Sequence, residues 1–327
     1  MGMMAVRRWA SAGAAGLLAV GLGLHPAPAG AAVGSAYLAV EESIVRGGSV
    51  TDCPVAITGA GPATRSIPAD GAWRTVNLDR TGTMAKSKVR GIVVGRGKVA
   101  ADSRGGYRLD VSISNAVSLT PSAASPCKIS YGTGSSTLAE DVGVTKKSWL
   151  VIGGTVRGRG EVTGILGAQR TDLTGTVTVA PGRSATQLIP SGWYTMAARA
   201  GSRTFVPPGT TTPTSATNVF NGFVAIIPVG TRRSLSGNGL GYVSVDHRDC
   251  TLNRVRLPFT SRARAYAAKI SLYVNGDRRA VLTGSALQRT SYTLSNIAPA
   301  SAGAVKVVIR TKSGSTLTSS STSWACR

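Results

Sequence analysis

Four cysteines, Cys53, Cys127, Cys250 and Cys326, constrain this chain more than any other feature, because they fall into two pairs with nearly equal separations of 74 and 76 residues. Metal binding is the rival use of cysteine, but no C-x-x-C spacing occurs and His247 is the only histidine beyond residue 31. Disulfides are therefore expected. The simplest connectivity joins Cys53 to Cys127 and Cys250 to Cys326; four cysteines permit three connectivities, and the sequence does not choose among them. On the chain-entropy model, closing loops of this size stabilises by roughly 4 kcal/mol each.

The beginning of the chain agrees with an oxidising compartment. Arg7 and Arg8 form a positive n-region, Ser11 to Leu24 is built mainly from Ala, Gly, Leu and Val, and Ala29-Gly30-Ala31 supplies a small-residue cleavage pattern. Residues 1–31 are expected to be a signal peptide, with the mature chain starting near Ala32. Trp9-Ala10-Ser11 lacks the paired apolar residues that twin-arginine export would require, so the general secretory route is the expectation. A membrane span needs about 20 predominantly apolar residues, and the later run Val224-Ala225-Ile226-Ile227 stops at Pro228. No transmembrane segment is expected after signal removal, and the product should be secreted and extracellular, or held at the cell surface by binding.

Charge suggests what it binds. The chain carries a formal net charge of +23, which falls to +21 when Arg7 and Arg8 leave with the leader, and Asp246, Asp249 and Asp277 are the only acidic residues after Met196. A field of this sign and size attracts polyanions, so an anionic cell-wall polymer or polysaccharide is the expected partner class. The bland alternative is genomic: Arg far outnumbers Lys and the leader is rich in Ala and Gly, as GC-rich codon usage produces. Specific nucleic-acid recognition is not expected, because no long run of like charges occurs and the basic residues are not interleaved with aromatic clusters.

Between the cysteines the apolar pattern has the period of strands. Ile270, Leu272 and Val274 alternate with Ser271 and Tyr273, Asn275-Gly276 tolerates positive φ, and Arg278 to Leu282 returns, which predicts a hairpin. Val305, Val307 and Ile309 share one face while Lys306, Val308, Arg310 and Lys312 share the other, before a turn at Ser313-Gly314. Further strands are predicted at Leu252 to Phe259, Ser291 to Ile297, Lys88 to Val99, Arg108 to Val117, Trp149 to Val156 and Thr174 to Val179. The Pro- and Thr-rich stretch at 206–218 reads as a linker or long loop. It divides an N-terminal β-sandwich-like domain at 32–205 from a C-terminal domain at 219–327. The expected fold class is all-β, with two β-sandwich domains and one disulfide in each.

From Cys250 to Cys326, the strings VRLPF, SLYVNGDRRAVLTG, SYTLSNI and VKVVIRTKSGSTLTSSST resemble the small immunoglobulin-like accessory domains that end many secreted actinobacterial proteins. The resemblance covers about a quarter of the chain and implies a spacer or surface-binding module with no catalytic residues to carry over. A central Trp between the cysteines is missing; Trp324 lies just before Cys326. That departure favours a disulfide tying the first and last strands over one bridging the middle of two sheets.

Catalytic motifs fail one by one. No serine stands in G-x-S-x-G. His247, in Asp246-His247-Arg248-Asp249, has no identifiable nucleophile. Glu41-Glu42 and Glu140-Asp141 are adjacent pairs whose side chains diverge on strands, unlike the facing carboxylates of glycosidases. Gly158-x-Gly160-x-x-x-Gly164 is not a dinucleotide fingerprint, and no closely spaced acidic residues mark a calcium loop. No cofactor, metal or catalytic residue is expected. Trp73, Trp149, Trp193 and Tyr194 are the aromatic candidates for stacking on sugars, with Trp193 and Tyr194 preferred beside the Ser191-Gly192 turn, although large aromatic residues commonly fill cores. The expectation is a secreted non-catalytic β-sandwich protein that binds or decorates the cell surface or matrix through basic faces. An extracellular hydrolase assembled from distant residues is the alternative. A subunit making protein contacts through Phe220 to Val229, which reads equally as a buried strand, is the other.

Overall fold

The computed structural model describes residues 34–47, 53–159, 161–171, 176–180 and 182–327; the leader read at residues 1–31 lies outside them, as do Thr174 and Gly175 of one expected strand. The first thirteen strands are β1 (Ser35–Gly47), β2 (Val55–Ala60), β3 (Ala63–Ser66), β4 (Arg74–Met84), β5 (Ser87–Ala101), β6 (Tyr107–Thr120), β7 (Lys128–Val144), β8 (Ser148–Arg159), β9 (Glu161–Arg170), β10 (Thr176–Val179), β11 (Ala185–Ile189), β12 (Gly192–Val206) and β13 (Thr214–Pro228). They form two antiparallel sheets, ordered β10-β9-β12-β7-β1-β3 and β11-β8-β13-β6-β5-β4-β2. Period-two patterning explains why the sheets stack. Along β5 every second residue from Ser87 to Val99 is buried, and side chains of both sheets, among them Leu38, Leu78, Leu109, Ile113, Leu166 and Phe220, share one core.

The 206–218 stretch is not an interdomain linker. From Thr214 it already belongs to β13, an interior strand between β6 and β8 whose Phe220, Val224 and Ile226 are fully buried. Pro207, Pro208 and Pro213 merely interrupt the ladder where the chain crosses from the six-stranded to the seven-stranded sheet. The break expected after residue 218 therefore moves past Pro228, because a crossover between sheets and a linker between domains have the same composition. Phe220 to Val229, considered as a contact segment, lies mostly in this core strand.

The second unit contains β14 (Arg232–Ser236), β15 (Arg248–Asp249), β16 (Arg254–Pro258), the short helix α1 (Ser261–Tyr266), β17 (Ala267–Val274), β18 (Asp277–Leu282), β19 (Ser291–Leu294), β20 (Val305–Thr311) and β21 (Thr316–Ser323). A five-stranded sheet, β14-β21-β20-β17-β18, and a three-stranded sheet, β15-β16-β19, close on a core that includes Val255, Leu257, Ile270, Leu272, Leu294, Val305 and Ile309. The hairpin turns as its residues predict, with Asn275 and Gly276 at φ of 52° and 95°. On β20, Val305, Val307 and Ile309 are buried while Lys306 and Arg310 face out.

Both disulfides follow the simplest connectivity. Cys53–Cys127 lies in a core cluster with Met84, Leu119 and Ile129. Cys250–Cys326 ties the tail beyond β21 to the turn after β15, rather than to the first strand of the unit. Among the described residues, no helix is long and apolar enough to cross a membrane.

Candidate functional site

Strand alternation decides which aromatic residues can meet a ligand. On β12, Trp193 and Tyr194 point to opposite faces: Trp193 is 43% exposed and lies across Gly143 of β7, whereas Tyr194 is buried and its hydroxyl donates to the Pro190 carbonyl at 3.0 Å. The expected stacking pair is thus corrected to one surface ring and one core residue. Trp149 is absorbed into packing: its ring centroid lies 6.0 Å from that of Trp324 and its Nε1–H donates to the Ala325 carbonyl at 2.8 Å. Trp73 remains, 40% exposed.

Trp73 borders an open cleft of about 580 Å³ on the outer face of the seven-stranded sheet, lined by Arg96, Asp110, Ser112, Thr155, Asn221 and Phe223 as well as backbone. Register assembles it. One outward rung runs Arg96, Ser112, Asn221, Thr155 across β5, β6, β13 and β8, and the next runs Lys98, Asp110, Phe223, Gly153 across the same strands. At about 4.8 Å between neighbouring strands, the span from β5 to β13 is about 10 Å.

Each element of the cleft has a local cause. Trp73 is carried by a turn in which Asp70 accepts from the Ala72 N–H at 2.8 Å and from Arg74 at 2.6 Å; those two donors hold the Asp70 carboxyl below its ordinary value. Gly71 takes a φ of +73° so that its N–H can reach the Val99 carbonyl at 2.8 Å, pinning the turn beside β5. The Arg96 guanidinium and Lys98 ammonium sit 5.3 and 5.1 Å from the Trp73 ring centroid. Across the cleft, the Arg108 guanidinium lies 4.2 Å from the centroid of Phe223, and Gly153 leaves room for that ring, since a Cβ there would stand 3.2 Å from it. Asp110 accepts from Arg108 at 2.8 Å and pairs with Lys98 at 3.5 Å. Three cations around one carboxylate leave the site net positive.

The other candidates do not converge. His247 Nδ1 accepts from the Arg232 N–H at 2.9 Å, and burial, then Arg104 and Arg232, hold its pKa below the ordinary value. Glu42 accepts from the Tyr131 hydroxyl and from Arg80, whereas Glu41 accepts from Ser136 and Arg199. Among the described residues no group of three His, Cys, Asp or Glu could hold a metal, and Asp110 is the only carboxylate among the residues lining the cleft.

The chain matches no protein-family model, and no curated protein aligns with it significantly. Sequence reasoning singled out Trp73 but not its partners. Arg96, Asp110, Thr155 and Phe223 lie on four strands and become neighbours only through register, and the sole local signal was that each is a polar or aromatic residue at an outward position of an alternating strand.

Proposed function

We propose that this protein is a secreted, non-catalytic binding protein that attaches to an anionic polysaccharide of the cell surface or matrix through the Trp73–Phe223 cleft. The observation that carries the reading is the cleft itself: exposed Trp73 and half-buried Phe223 line it together with Asp110, Ser112, Asn221 and Arg96. Aromatic faces match the apolar C–H faces of sugar rings. Carboxylate, amide, hydroxyl and guanidinium groups between them offer both acceptors and donors to sugar hydroxyls. The surplus of Arg96, Lys98 and Arg108 over Asp110 selects polymers bearing acidic groups. Secretion rests on the leader and on the two disulfides, and the second unit is read as the immunoglobulin-like accessory module that its sequence resembles.

Affinity electrophoresis of residues 32–327 through gels containing acidic or neutral polysaccharides tests this directly. At least one acidic polymer should retard the protein, and Trp73→Ala or Phe223→Ala should weaken retardation at least tenfold while leaving the far-ultraviolet circular dichroism unchanged. Equal retardation of wild type and both variants, or none for any polymer, would overturn the assignment.

A further inference from the structure

We propose that the open face of the five-stranded sheet in the second unit is a separate docking surface for a linear polymer with phosphate in its backbone. It is independent of the cleft, which lies on the other unit. Alternation on β17, β20 and β21 turns Lys269, Ser271 and Tyr273, then Lys306, Val308 and Arg310, then Thr316, Thr318 and Ser320 to the same face. Register sets these side chains in three rungs. Across β17, β20 and β21 one rung is Lys269, Arg310 and Thr316, the next Ser271, Val308 and Thr318, and the third Tyr273, Lys306 and Ser320. Arg278 of the edge strand β18 extends the last rung beside Tyr273.

The cationic rungs thus stand four residues apart along β20, about 13 Å, separated by a middle rung of Ser271, Thr318 and two valines, Val308 and Val281. Lys269, Arg278, Lys306 and Arg310 are all exposed, and none forms a salt bridge among the described residues. The carboxylates that could neutralise them are few. From Val229 onward they are Asp246, Asp249 and Asp277, and Asp249 is engaged by Arg254 at 3.3 Å and by the Thr251 and Leu252 N–H groups.

Shape and chemistry select the occupant. The face is a sheet surface with cations in its first and last rungs, which suits an extended polymer better than a compact ligand. Its charged groups are donors only, so the matching polymer presents a continuous row of charged acceptors. A chain with phosphate in its backbone offers two such oxygens at every linkage, whereas a sulfated polysaccharide carries its anions as pendant groups on sugar rings. The Thr316, Thr318 and Ser320 hydroxyls add neutral donors and acceptors beside the charges, whereas Ser271 is buried.

The test measures affinity for long-chain inorganic polyphosphate and for poly(glycerol phosphate) as a function of salt, with heparin as the sulfated comparison. Wild-type affinity should fall linearly in log–log form. The surface variant K269Q/R278Q/K306Q/R310Q should reduce that slope by about 3, from a coefficient of about 0.7 per phosphate contact on flexible strands, and bind at least tenfold more weakly at low salt. The cleft variant Trp73→Ala should bind polyphosphate as wild type does. An unchanged slope in the four-site variant, tighter binding to heparin than to either phosphate polymer, or an equal loss in Trp73→Ala would overturn the proposal.

Discussion

At the scale of single residues, Arg248 shows how far burial can depart from composition. In the sequence it sits within Asp246-His247-Arg248-Asp249, a stretch that reads as solvated surface, yet the side chain is only 2% exposed. Among the described residues it forms no salt bridge. Its guanidinium donates instead to the carbonyls of Ser301 at 2.8 Å, Ile297 at 2.8 Å and Ala298 at 3.0 Å, and to Asn253 Oδ1 at 3.3 Å. Burial lowers its pKa, but a guanidinium stays charged in proteins, so carbonyl dipoles carry the compensation that a counterion would otherwise provide. The three carbonyl acceptors come from about 50 residues further along the chain, which is why local sequence could not reveal the role. Arg248→Met keeps the apolar stem and removes every donor, stranding three carbonyls. Urea unfolding should show a loss of about 3 kcal/mol, and Arg248→Lys, which keeps the charge but not the fork, should fall between. A methionine variant as stable as wild type would mean that water satisfies those carbonyls.

At the scale of elements, the strands legible in the sequence were those with alternating apolar or β-branched residues, such as β5, β6, β17 and β20. The seventeen-residue strand β7 escaped notice because KISYGTGSSTLAEDVGV has too few large apolar residues to show a period. Its inward face is built from Tyr131, Thr133, Ser135 and Thr137, all buried, and it packs against Gly91, Gly95 and Gly97 of β5. Small residues on both strands let the two sheets approach closely, and two of the buried hydroxyls find specific acceptors: Ser135 Oγ donates to the Ala39 carbonyl at 2.7 Å and Thr133 Oγ1 to Asn115 Oδ1 at 3.0 Å, whereas Thr137 Oγ1 is buried without a hydrogen-bond partner. The GIVVGRG string was legible as a strand, but its glycines looked like punctuation rather than a packing surface. A Cβ at Gly95 would run into Ser135 Oγ. Gly95→Val should therefore cost about 2 kcal/mol by overpacking, read from the midpoint of denaturant unfolding, and Ser135→Gly in the same chain should recover part of it. If Gly95→Val is neutral, the sheets can separate there without penalty and the seam does not set their distance.

At the scale of the whole molecule, the two units are joined by only Val229 to Thr231 between β13 and β14, and their contact is anchored by the C-terminal tail. The Trp324 N–H donates to the Thr231 carbonyl at 2.8 Å, the Gly230 N–H donates back to the Trp324 carbonyl at 3.2 Å, and the Cys326 N–H reaches the Pro299 carbonyl at 2.8 Å. Trp324 is covered on one side by Trp149 of the first unit and carries the Arg233 guanidinium 5.0 Å from its ring centroid. The Cys250–Cys326 bridge closes a 76-residue loop and holds that tail in place, so it acts on the second unit and on its junction with the first. Cys53–Cys127, by contrast, is confined to the first unit. The pair C250A/C326A should lower the stability of the second unit by about 4 kcal/mol and shift tryptophan emission to the red as Trp149 and Trp324 gain water, whereas C53A/C127A should leave the emission of the folded protein unchanged. Coupling between bridge and junction is separable from loop entropy by a double-mutant cycle. Trp149→Phe, which deletes the hydrogen bond to Ala325, should destabilise the oxidised protein more than it destabilises C250A/C326A, because a released tail no longer presents that carbonyl to the indole. Strict additivity would place the bridge's contribution entirely within the second unit and leave the Trp149 contact to stand without it.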